Sequence, residues 1–143
     1  MKVEIPDEGS EEESEGEPQI ESDDQINEAR RSIRIQALIA EIGAKLGFHS
    51  WVPRSDRSRV LELVPEALRD KLIDVLPLNY DETTLRTIEQ IDVIWLKGRA
   101  MARAFEVEHT TAVYSGLLRM ADLLALQPNM DIRLHIVARF LAQ

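Results

Sequence analysis

The chain has 143 residues, enough for one domain with a core and too few for two ordinary ones. It has no cysteine, which excludes disulfides and thiolate zinc sites, and no apolar run near the roughly 18–20 residues needed to span a bilayer. Its net charge of −9 sits in one place: residues 1–24 hold 11 of the 26 acids with Lys2 as the only base, leaving residues 25–143 at +1. The overall acidity therefore does not argue against nucleic acid as a partner of the remainder.

Met1–Asp24, with Glu11-Glu12-Glu13 and almost no apolar residue, cannot bury enough surface to offset ordering and is expected to be a disordered acidic tail. Residues 25–143 are expected to form a single domain, cytoplasmic and without membrane contact, since no secretory segment is present. Asp24–Leu46 reads as a helix capped by Asp23 or Asp24, with an apolar stripe at Ile35, Leu38, Ile39, Ile42 and Leu46, stopped by Gly47. Phe48–Val52 alternates like a short strand closed by Pro53. Arg54–Arg59 reads as a polar, arginine-rich loop able to touch a nucleic-acid backbone, although a plain solvated loop is the default. A helix follows near Glu66–Val75, ended by Pro77 and Asn79-Tyr80-Asp81.

Two strands are then expected, Thr87–Leu96 and Ala100–His109, joined tightly through Lys97-Gly98-Arg99. A helix capped by Thr110-Thr111 follows, with Val113, Leu117, Met120, Ala121 and Leu124 on one face, and a last strand covers Ile132–Val137. This order suits an α/β fold: a mixed central sheet flanked by helices.

The two central strands carry the informative residues. Ile91-Asp92-Val93-Ile94-Trp95 and Ala104-Phe105-Glu106-Val107-Glu108-His109 are apolar enough to be buried, yet each holds carboxylates, which are costly there unless compensated. A metal ion, a basic partner or a hydrogen-bond network would compensate them, and the lack of Lys or Arg on the same strand faces favours a metal. Alternation puts Glu106 and Glu108 on one face. Pairing around Gly98 brings Asp92 opposite Glu106 within one bulge or register step. Converging carboxylates raise one another's pKa until a cation neutralises them, and oxygen-only ligands suit Mg²⁺ or Mn²⁺. Phosphodiester hydrolysis is the reaction this chemistry serves, with Asp92 and Glu106 on the metal and Glu108 as ligand or proton acceptor.

In these residues the chain resembles the PD-(D/E)xK nuclease superfamily, the restriction endonuclease-like proteins, over about residues 25–138. The resemblance implies a core of helix, strand, insertion, strand, strand, helix, strand, with Asp92 as the first acid and Glu106 as the second. Glu108 stands where lysine is usual, a variant that some active members share. It further implies a polar contribution from the first helix, for which Gln36 is better placed than Glu41, and phosphate contacts from Arg119 and Thr111 on the second. Arg119 serves equally well as a structural partner of Asp122 or Asp92. DNA is the implied substrate, a homodimer is compatible with it, and a nuclease is the leading reading. A catalytically inactive relative that binds DNA or protein is the alternative, as is a structural role in which Glu106 and Glu108 pair with arginines. Relatives usually continue past the last strand, so a domain shortened at its C-terminus is also expected. His49, His109 and His135 lack ligand spacing, and Trp51 and Trp95 read as core.

Overall fold

A computed structural model describes residues 23–109, 113–127 and 129–139. The acidic tail before Asp23 and the Thr110-Thr111 cap lie outside the described residues. The chain divides after Arg30 into two units, and of the first only the start of helix α1 (Asp23–Lys45) is described.

The second unit holds β1 (His49–Trp51), α2 (Arg54–Leu63), a 3₁₀ helix (Glu66–Lys71), α3 (Glu82–Glu89), β2 (Val93–Lys97), β3 (Ala100–His109), α4 (Val113–Leu126) and β4 (Arg133–Arg139). The strands form one sheet in the order β1-β2-β3-β4. The first three are antiparallel, while β4 runs parallel to β3 and is reached through α4, as a parallel neighbour requires a crossover. The fold is mixed α/β, with a mixed four-stranded sheet flanked by helices, as expected.

Both faces of the sheet are covered, which explains why β2 is apolar from Val93 to Leu96. Val93 and Trp95 join Ile33, Ala37, Ala40, Val60 and Val64 on one face. Ile94 and Leu96 join Ile88, Met120 and Leu123 on the other. Gly98, at φ +62°, makes the β2–β3 turn, and the register shifts once between Trp95 and Leu96. That bulge aligns Val93 with Phe105, so the residue before β2, Asp92, reaches the level of Glu106. Gly47, at φ +95°, ends α1 in the left-handed conformation that a non-glycine residue adopts only with strain.

Four local expectations are corrected. The stripe that α1 buries is Ile33, Gln36, Ala37, Ile39, Ala40 and Ala44; Ile39 is buried as expected, while Leu38, Ile42 and Leu46 are exposed. Small residues let α1 approach the sheet closely: a Cβ on Gly43 would lie 2.7 Å from Cε2 of Trp95, whose Nε1 donates to the Ile39 carbonyl at 3.1 Å. Arg54–Leu63 is a helix and not a loop, with Val60 buried and Pro53 at its N-cap, a residue whose fixed φ suits helix entry. Residues from Glu82 to Glu89 are helical where a strand was expected from Thr87, because Asp81 accepts from the Thr84 amide (3.2 Å) and hydroxyl (2.7 Å) and caps them. On α4, Met120 and Leu123 face the sheet, whereas Leu117 and Leu124 are exposed.

Candidate functional site

The centre of the sheet positions two carboxylates. The Asp92 Oδ2 accepts from the Val107 amide of β3 at 2.8 Å, so the neighbouring strand itself holds the side chain. Its backbone carbonyl accepts from Nε2 of Gln36 at 3.0 Å, tying the start of β2 to α1. Glu106, one residue before Val107, is fully buried. Arg119 on α4 donates from Nη1 to Glu106 Oε1 at 2.7 Å, and Glu106 Oε2 is buried with no hydrogen-bond partner among the described residues.

Such burial disfavours negative charge. It pushes the Glu106 carboxyl up to about 8; the Arg119 bond opposes the rise and the neighbouring Asp92 charge adds to it. Burial raises Asp92 as well, against the Val107 amide, the Glu106 carboxyl and the Arg119 charge, while the carboxylate of Asp56 adds to the rise. The pair is thus short of positive charge even with one guanidinium in place. An orphaned carboxylate oxygen beside a second acid is the donor chemistry that a hard divalent cation satisfies.

The structure brings Asp92, Glu106, Gln36 and Arg119 together. Arg119 pairs with Glu106 through its Nη1, and its charge also acts on Asp92. The Glu108 backbone pairs with Ala138 on β4, but its side chain, like Thr111, lies outside the described residues. Among the described residues no three Asp, Glu, His or Cys side chains form a metal-holding group.

Asp56 is the neighbour that sequence reasoning missed. Its Oδ2 accepts from the same Gln36 Nε2 at 3.2 Å, which joins α1, α2 and Asp92 through one amide. No linear motif marks it. The arginines around it are engaged: Arg57 donates to the Leu72 carbonyl (2.8 Å), Arg59 to Asp56 (3.1 Å), and Arg54 to the Asp74 carbonyl while lying over the Trp51 ring. His135 stacks on Phe105 and accepts from Arg103 at 3.0 Å; burial and the charges of Arg103 and Arg133 hold its pKa down. Trp51 and Trp95 are core residues, as expected.

Beside the carboxylates, α3 and α4 enclose a cleft of about 450 Å³ lined by Thr83, Arg86, Thr87, Gln90, Arg119 and Asp122. Arg119, with 32% of its side chain exposed, borders both this cleft and the buried acid. Among the described residues no helix is long and apolar enough to cross a membrane.

A mixed α/β domain with an internal acidic pair, one acid at the entry to β2 and one on β3, is the class these features define. The family model of the type II restriction enzyme NmeDI C-terminal domain matches residues 12–140, and the chain belongs to that family. The type II restriction enzyme NmeDI of Neisseria meningitidis serogroup C is 32% identical over 129 residues, which cover 85% of this chain and 36% of the relative. The chain therefore spans about a third of the length of the curated relative it matches. No solved structure matches it significantly.

Proposed function

We propose that this chain is a divalent-metal-dependent nuclease domain that hydrolyses DNA phosphodiester bonds. It would be restriction endonuclease-like and of the PD-(D/E)xK type, with Glu-x-Glu in place of Glu-x-Lys. The observation that carries this reading is the meeting of Asp92 with a fully buried Glu106 whose Oε2 has no partner among the described residues. The order helix, strand, insertion, strand, strand, helix, strand supports it, as does kinship with a restriction-enzyme domain.

In this proposal Asp92 and Glu106 hold Mg²⁺ or Mn²⁺, and their oxygen-only chemistry suits such ions. When bound, the metal supplies a Lewis acid for the phosphoryl oxygen and acidifies water. Glu108 joins the ligands or takes the proton of the attacking water. Gln36 fixes the Asp92 backbone, while Arg119 and Thr111 hold phosphate. A homodimer would supply the second site needed to cut both strands.

A second reading is a catalytically inactive relative that binds DNA or protein, and the 2.7 Å Arg119–Glu106 bond favours it, because an arginine already stands where a cation would. Nicking of supercoiled plasmid separates the two. The nuclease reading expects Mg²⁺-dependent nicking that Asp92→Asn and Glu106→Gln each abolish with the fold intact. Retained nicking in both variants refutes it, and salt-sensitive duplex binding indifferent to chelator, without cleavage, supports the second reading.

A further inference from the structure

Arg119 occupies a boundary between two environments. Its Nη1 is 2.7 Å from a carboxylate oxygen with no solvent exposure, yet 32% of its side chain is exposed and it lines the α3–α4 cleft. The rest of that cleft offers groups that bind phosphate, the Arg86 guanidinium, the hydroxyl-bearing Thr83 and Thr87 one turn apart on α3, and the Gln90 amide, beside the apolar Leu118 and with Asp122 as the opposing charge. Among the described residues Arg86 pairs with Glu82, at 2.8 Å and with both side chains more than 70% exposed, an ion pair weak enough to be exchanged for another anion.

Two cations cannot both sit against Glu106 without repelling one another. We propose that Arg119 is an exchangeable partner of the carboxylates: in the metal-free protein it donates to Glu106 Oε1. Once a divalent cation takes the carboxylates, it turns into the α3–α4 cleft and, with Arg86, holds a backbone phosphate of the nucleic acid. The proposal rests on the nuclease reading above and adds to it a coupling, in which metal loading creates the phosphate site. By linkage the coupling is reciprocal, so duplex binding tightens metal binding by the same factor.

The test uses Mn²⁺ calorimetry, and anisotropy of a labelled 20-base-pair duplex in Mn²⁺ or in chelator, on wild type, Arg119→Gln, Arg119→Lys and Arg86→Gln. Removing the competing charge in Arg119→Gln should tighten Mn²⁺ binding about tenfold. The same variant should lose the Mn²⁺-dependent gain in duplex affinity, about tenfold in wild type. Arg119→Lys keeps the competing charge and should bind Mn²⁺ like wild type. Arg86→Gln should keep wild-type Mn²⁺ affinity and lose part of the duplex gain; being exposed, it also decides the matter should Arg119→Gln fail to fold. Mn²⁺ binding by wild type that Arg119→Gln leaves unchanged or weaker overturns the exchange, as does an undiminished duplex gain in both Arg119→Gln and Arg86→Gln. Absence of Mn²⁺ binding by wild type overturns the nuclease reading itself and this inference with it.

Discussion

Glu106→Gln separates a metal-ready acid from a structural ion pair through the pH dependence of stability. The Glu106 carboxyl titrates near 8 in the folded protein and at 4.5 when free, so between those values the folded state holds a proton that the unfolded chain has released. Stability from this group is therefore complete below pH 4.5 and falls as pH rises toward about 8. At about 1.4 kcal/mol per pKa unit the whole loss is at most about 5 kcal/mol, an upper bound because neighbouring groups relax. Glutamine resembles the protonated acid in shape and charge, and it still offers Arg119 an oxygen. In chelator, urea unfolding should find the two proteins similar near pH 5 and the variant more stable by a few kcal/mol at pH 8. Mn²⁺ should then close the gap by stabilising wild type alone. A wild-type advantage that is constant from pH 5 to 8 would refute the reasoning, because it would mean that Glu106 is ionised throughout as a settled partner of Arg119.

Other substitutions test the supports of the site. Asp92→Ala leaves the Val107 amide without its acceptor and should cost about 1–3 kcal/mol in urea unfolding. Asp92→Asn, which keeps an oxygen there, should cost less; equal losses would show that the amide bond does not matter. Gln36→Met removes the donor shared by the Asp92 carbonyl and Asp56, with an expected cost of about 1–3 kcal/mol and weaker Mn²⁺ binding; unchanged Mn²⁺ affinity would deny Gln36 a role at the site. Gly43→Ala drives a methyl group into the Trp95 ring and should cost about 1–3 kcal/mol, whereas an unchanged unfolding midpoint would mean that α1 can move aside.

The central features were legible because they break a local rule. Acids inside apolar strands stand out against β-strand preference, and the two-residue period fixes which of them share a face. The turn at Gly98 then limits the register to within one bulge, which the structure contains. What stayed hidden depends on long-range contact. Leu38, Ile42 and Leu46 make as good a helical stripe as Ala37, Ala40 and Ala44, and hydrophobicity favoured the larger residues. Close approach to Trp95 selects the small ones instead, and composition does not encode that approach. Arg54–Arg59 read as a loop because its polar residues satisfy distant carbonyls such as Leu72. Asp56 joins the site through a glutamine 20 residues away, and Arg119 meets Glu106 only once α4 has rotated Met120 and Leu123 inward.

The most direct test of the central claim is Mn²⁺ calorimetry on wild type and Glu106→Gln at pH 8. The account predicts micromolar binding by wild type that is lost in the variant. Absence of binding by wild type, or equal binding by both, would contradict it.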